Sequence, residues 1–137
     1  MCEHVVLHEF VSPWDVLSSL NAQGAFQELP ESVGVVGSVA TSANTVMSEF
    51  AHLLPDFNKQ SDQPLPKETK TLLCAPMLDS SGCKIGCILA VNKRGTRGVF
   101  TPKDEAWLKV MSSQYGELVS NCWKHQKALS TRDYPKP

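Results

Sequence analysis

The residues that could do chemistry are few: five cysteines, four histidines, a glycine-punctuated basic loop and an adjacent acidic pair. Cys83 and Cys87 are four apart, as are His4 and His8, a spacing that suggests metal ligation. Both pairs fall in stretches that read as strands, where such residues stand about 13 Å apart, too far to share one ion, so no metal site is expected. The odd cysteine count (Cys2, Cys74, Cys83, Cys87, Cys122) suits reduced thiols better than a disulfide framework. Cys74 and Cys83 could serve thiol redox chemistry only with an exposed thiolate of low pKa and a resolving partner. The apolar run around Cys74 instead predicts that Cys74 and Cys87 are buried and slow to react, and that Cys2 reacts quickly at a frayed terminus. His4, His8, His52 and His125 sit in no triad-like motif. Asp104-Glu105 follows Thr101-Pro102 and reads as helix capping, not acid–base catalysis. No catalytic residue and no cofactor are expected.

Two stretches could grip phosphate. Gly34-Val-Val-Gly37 has a Gly-x-x-Gly spacing, a weak signal by itself. Lys93-Arg94-Gly95-Thr96-Arg97-Gly98 carries three cations and reads as a solvated basic loop. Net charge is −1, yet residues 1–68 sum to −7 and residues 69–137 to +6. Such a division fits mutual attraction between halves of one fold, or between protomers, better than binding to nucleic acid, given a pI near 6.4. No run of about 18 apolar residues and no signal-peptide pattern occurs, so neither a membrane span nor secretion is expected, and the expected location is the cytoplasm.

These residues must be positioned by a domain of ordinary size, 137 residues with 42% hydrophobic side chains. Val5–Phe10, Trp14–Leu20 and Ala25–Leu29 read as strands, with a turn at Asn21–Gly24. The small apolar run from Gly34 enters a short helix. Ser48 is placed to cap another through His52, and residues 55–70 look like a surface segment that could form a lid. Thr71–Leu78 and Cys83–Asn92 form a hairpin over Asp79–Gly82. The continuous apolar character of its second strand predicts helices on both sheet faces. A long helix follows, 102–129, with Thr101 as N-cap and Leu108, Met111, Tyr115, Leu118 and Cys122 as a core-facing stripe. Its far end should project or pack on a partner, and residues 130–137 are expected to be a disordered tail.

Together these residues resemble the GAF domains of cyclic-nucleotide phosphodiesterases. Asn92-Lys93, Phe100 and Asp104-Glu105 are similar to that family's signature. Gly34–Ala40, Phe57-Asn58 with Asp62, Thr69, Leu73–Met77 and Ile85-Gly86 follow its other landmarks in order. The resemblance implies a single domain over residues 1–129 without the family's usual opening helix. It implies an α/β (α+β) fold, with a central antiparallel sheet of about six strands, helices on both faces and a long C-terminal helix. It also implies that Lys93 and Asp104 form a structural ion pair, and that a ligand would lie near Val36, Gly37, Ala40, Phe57, Asn58 and Thr69.

Polar anchors are missing where relatives carry them: Leu89, Phe50 and Leu54 stand at positions where a carboxylate is common. A cyclic nucleotide, if bound, would have to place its phosphate on backbone amides of Gly34–Ala40 and use Thr69 as side-chain anchor. The resulting expectation is a non-catalytic regulatory and dimerisation module of an intracellular signalling protein, with ligand absent or unknown. Its partner would be a second copy or other domains of a longer chain, met through helix 102–129. The alternatives are an allosteric cyclic AMP or cyclic GMP receptor domain and, further off, a reductase of free methionine sulfoxide.

Overall fold

The computed structural model describes residues 2–11, 16–20, 26–30, 34–64, 68–95 and 97–132, with side chains in the last helix described as far as residue 122. Among the described residues six strands form one antiparallel sheet: β1 (Cys2–Val11), β2 (Val16–Leu20), β3 (Phe26–Pro30), β4 (Val46–Ser48), β5 (Leu72–Leu78) and β6 (Lys84–Lys93). Their order across the sheet is β3-β2-β1-β6-β5-β4. Strands β5 and β6 are strongly apolar, as expected of strands covered on both faces. The turn at Asn21–Gly24 and the beginning of the second strand at Trp14 lie outside the described residues.

Helix α1 (Gly34–Ser42) covers one face of the sheet. Val35, Val36, Val39 and Ala40 pack there on Val6, Leu17, Leu72, Cys74, Cys87, Leu89 and Val91. Helix α3 (Pro102–Arg132) covers the other, where Leu108 meets Leu73, Ala75, Met77, Ile85, Ile88 and Ala90. Alternation along each strand sorts these two sets: Val6 and His8 of β1 stand opposite Leu89 and Cys87, while Leu7 stands opposite Ile88. A 3₁₀ turn at Ala51–Leu53 and the single turn α2 (Lys59–Asp62) lie in the segment between β4 and β5. Among the described residues no helix is long and apolar enough to cross a membrane.

Three local expectations need correction. Ser48 does not cap the turn that follows; it ends β4, and its Oγ accepts the Phe50 N–H at 3.0 Å. Segment 55–70 is more than a surface strap, because Ser61, Asp62 and Thr69 are buried. The stripe on α3 faces the other way. Only Leu108 of the five points into the core; Met111, Tyr115 and Leu118 are 37%, 42% and 59% exposed, and Cys122 is exposed too. The inward face is made by Leu108, Ser112, Gly116 and Ser120. The reason is steric: a Cβ on Gly116 would lie 2.4 Å from the Leu78 carbonyl oxygen. Small residues let the helix sit directly on β5, so the bulky stripe is left outside. The helix also continues through Arg132, past the expected end at 129; residues 133–137 lie outside the described residues.

Candidate functional site

The expected ligand residues converge on Asp62, which the sequence reading used only as a landmark. Its carboxylate accepts the N–H groups of Val35 at 2.8 Å, Val36 at 3.1 Å and Asn58 at 2.9 Å, and the Ser61 hydroxyl at 3.1 Å. The first amides of a helix have no partner within it, and here a carboxylate from 27 residues downstream supplies one. Thr69 donates its hydroxyl to the Asp62 main-chain carbonyl at 2.9 Å. Val36, Asn58 and Thr69 are thus brought together, but around an internal anion. Gly34 belongs to the same arrangement: its φ is +73°, and a Cβ there would fall 2.0 Å from Ser61 Oγ. Burial pushes the Asp62 carboxyl above its ordinary range, outweighing the four donors that pull it down.

The remaining expected positions play packing roles. Gly37 and Ala40 are buried in the contact between α1 and the sheet, and Phe57 packs against the same cluster. Leu89 is fully buried there, Leu54 is half-buried against the cluster, and Phe50 is exposed.

The Asn92-Lys93 motif works as a two-way clamp. Asn92 adopts φ +58°; its Oδ1 accepts the Lys70 N–H at 2.7 Å and its Nδ2 donates to the Glu68 carbonyl at 3.2 Å. It therefore holds the segment that carries Thr69. Lys93 Nζ reaches Asp104 Oδ1 at 2.6 Å, tying β6 to the start of α3. Asp104 also closes a capping box: its Oδ2 accepts the Thr101 N–H at 2.9 Å, while the Asp104 N–H donates to Thr101 Oγ1 at 3.3 Å. The Lys93 ammonium holds the Asp104 carboxyl below its ordinary range. Phe100 packs on the α3-side core, and Glu105 pairs with Lys109 at 2.8 Å.

The thiols are not arranged for redox catalysis. Cys74 and Cys87 are buried, and burial together with the neighbouring Cys87 thiol raises Cys74 well above its usual range, opposite to what a nucleophilic thiolate needs. Cys83 is exposed in the hairpin turn, ahead of β6. Cys2 is not frayed: it pairs with Lys93 in the sheet and is half-buried. Among the described residues no three metal-ligating side chains come together. Lys70, Lys93, Arg94 and Arg97 line an open groove of about 830 Å³ together with Glu3, Glu49 and Glu68, so cations and carboxylates are mixed along it.

His8 is the residue that sequence reasoning missed. It is 2% exposed, and neither ring nitrogen has a hydrogen-bond partner among the described residues. Burial lowers its pKa to about 4, so the ring is neutral near pH 7. No motif surrounds it, and its place in an apolar strand was the only available signal.

No family model matches the chain. Its sequence is 35% identical over 121 residues to the dual 3',5'-cyclic-AMP and -GMP phosphodiesterase 11A of Takifugu rubripes, an alignment spanning 88% of this chain and 13% of that protein. It is also 35% identical over 96 residues to the "probable 3',5'-cyclic phosphodiesterase pde-5" of Caenorhabditis elegans, spanning 70% of this chain and again 13% of the relative. Among solved structures, the GAF domain of a phosphoenolpyruvate-protein phosphotransferase from Coxiella burnetii superposes with a TM-score of 0.77 at 11% identity. That match covers 92% of this chain and 76% of that one. The chain therefore has the fold of a GAF domain, and its sequence resembles a short stretch of these phosphodiesterases.

Proposed function

We propose that this domain is a non-catalytic regulatory module whose output runs through α3, and that α3 pairs with a second copy of the chain. The outward stripe carries the reading. Met111, Tyr115, Leu118 and Cys122 follow at steps of four, three and four, and the sequence keeps that alternation at His125 and Leu129. This is the spacing of a coiled-coil seam. Trp107 and Val110, 64% and 53% exposed, extend the apolar surface toward the helix start. Beside them Trp107 and Met111 border an apolar groove of about 700 Å³, with Val5, Leu73, Ala90 and Phe100 among its other walls. At about 1.5 Å per residue the 31-residue helix is about 46 Å long, enough to carry a seam beyond the sheet. A continuous exposed apolar surface of this kind marks an interaction site.

Sedimentation velocity tests the reading. Wild type should be dimeric at micromolar concentration, and Leu118→Glu should be monomeric with an unchanged circular dichroism spectrum. Diamide should cross-link the wild type through Cys122 and leave Cys122→Ser uncross-linked if the two helices run parallel. A wild-type monomer at about 100 µM would overturn the proposal.

A receptor for cyclic AMP or cyclic GMP is the second reading, favoured by the resemblance to phosphodiesterases. Three features weigh against tight binding. The α1 amides that a phosphate would need are taken by Asp62, the Thr69 hydroxyl is committed to a main-chain carbonyl, and Leu89 replaces a carboxylate. Calorimetry should give dissociation constants weaker than about a micromolar, the affinity that corresponds to about −8 kcal/mol. A sub-micromolar constant lost in Thr69→Ala would establish the receptor reading instead.

A further inference from the structure

The row Ser112, Gly116 and Ser120 seats α3 directly on β5, and the helix packs chiefly on β5 and β6. Beside it, toward β1, lies the apolar groove of about 700 Å³. Its floor is Leu73, Ala90 and Leu108, all buried, and its walls include Val5, Trp107 and Met111, all exposed. Val5 stands opposite Ala90 in the ladder of β1 and β6, so β1 supplies one wall and α3 the other. Three charged side chains share the lining: Lys93, Lys103 and Asp104. Lys93 is paired with Asp104 at 2.6 Å, while Lys103 is exposed and makes no ion pair among the described residues. Two ammonium groups against one carboxylate leave the lining with one positive charge in excess.

We infer that this groove, on the α3 face of the sheet, binds a small amphipathic monoanion, an aliphatic chain ending in one carboxylate, with Lys103 as its counter-ion. The inference goes beyond the α3 pairing and does not depend on it. Size and lining fit a ligand site, which is concave, about 300–1,000 Å³ in volume, mostly apolar and supplied with a few polar groups that fix orientation. An aliphatic chain laid along the floor removes the exposed walls from water. No hydroxyl or carboxamide side chain lines the groove, so a sugar or a polar ring finds nothing there to recognise it. Charge selects the head group. A monoanion cancels the excess, a neutral chain leaves Lys103 unpaired, and a cation adds to the excess. Asp104 is not free to hold a cation, since Lys93 and the Thr101 N–H already engage it. Met111 is both a wall of the groove and the first residue of the outward stripe, so an occupied groove alters the surface that α3 presents.

Isothermal calorimetry on the purified chain tests this, with octanoate and decanoate as probes and decanol and decyltrimethylammonium as charge controls, all below micelle-forming concentrations. One decanoate should bind per chain, at least tenfold more tightly than either control. Affinity should rise about fourfold for each methylene added between octanoate and decanoate. Two substitutions at exposed positions outside the outward stripe then locate the site. Lys103→Glu should weaken decanoate at least tenfold and tighten decyltrimethylammonium, a reversal that loss of the fold cannot mimic. Val5→Asn, on the β1 wall, should weaken decanoate and decanol by similar factors. Decanoate affinity that ignores chain length, or that is unchanged in either variant, overturns the inference, as do several equivalents bound per chain or none. Decanoate binding to Leu118→Glu but not to wild type would assign the groove to a second copy of the chain, and the inference would fall. Sedimentation without ligand judges the α3 pairing separately, so either reading can fail alone.

Discussion

Helices α1 and α3 both begin on a carboxylate, but the two aspartates come from opposite ends of the range of sequence separation. Asp104 lies in the first turn of its own helix and bonds back to Thr101. Asp62 lies 27 residues beyond the amide it caps. The first is partly exposed, assisted by a lysine, and titrates below its ordinary range; the second is buried and titrates above it. A local cap stabilises only its helix end. A remote cap also fixes how residues 57–62 lie against α1, so breaking it should loosen two elements together.

The largest effect should therefore come from Asp62→Ala. It strips acceptors from three N–H groups, two of them at a buried helix start, and a buried unsatisfied donor costs about 1–3 kcal/mol. A loss of about 4 kcal/mol is expected by urea denaturation, with Asp104→Ala losing clearly less. Equal losses would mean that the long-range cap adds nothing beyond a local one.

Acid should find the α1 face before the α3 face. His8 has a folded pKa near 4 against an ordinary 6.5. The unfolded chain therefore takes up a proton that the fold refuses, and stability falls as pH drops from about 6.5 to 4. Each pKa unit corresponds to about 1.4 kcal/mol, so the loss approaches about 3 kcal/mol. Glu9 and Asp62, both raised by burial, act in the opposite sense, because the fold holds their protons more tightly than the unfolded chain does. The difference between wild type and His8→Leu isolates the imidazole. Unfolding curves from pH 7.5 to 4.5 should be steeper for wild type; parallel curves would show that His8 is hydrated or partnered.

On the other face the test is steric. Gly116→Ala places a methyl against the Leu78 carbonyl, so α3 must lift from β5. Overpacking of this kind costs about 1–3 kcal/mol. Ala on the outward side, as in Gln114→Ala, should leave stability unchanged. If Gly116→Ala is equally silent, α3 is not seated as closely as described.

What could be read in the sequence follows the same division between local and remote. Thr101, Pro102 and Asp104 announce α3 because capping chemistry is complete within four residues. The hairpin of β5 and β6 is legible because its turn is. The apolar stripe of α3 was visible as a period, but a period does not say which way it faces; Ser112, Gly116 and Ser120 decided that by allowing close approach. Asp62 could not be recognised as a cap, since its partners are near only after folding. His8 carried no signal beyond standing in an apolar strand. The resemblance to a family supplied the order of the landmarks and the Lys93–Asp104 pair, while the uses made of Asp62 and His8 came from geometry.

The smallest effect should belong to that ion pair. Lys93 and Asp104 are 2.6 Å apart, with side chains 19% and 24% exposed, so water screens them only in part. Exposed pairs contribute about 0.2–1 kcal/mol, and this one, shielded at an element junction, should reach about 1 kcal/mol. Asp104 also accepts from the Thr101 N–H and hydroxyl, so replacing it removes the cap as well as the pair. Reversal at Lys93 is the cleaner probe: Lys93→Glu should destabilise, and adding Asp104→Lys should recover part of the pair's contribution but none of the cap's. Because the folded pKa of Asp104 lies below its unfolded value, its contribution is present at neutral pH and is lost as pH falls through about 3.8 and below. Melts of Lys93→Glu and of the double swap that coincide at pH 7 would show the two charges to be uncoupled. The capping box would then be the whole of what Asp104 does for α3.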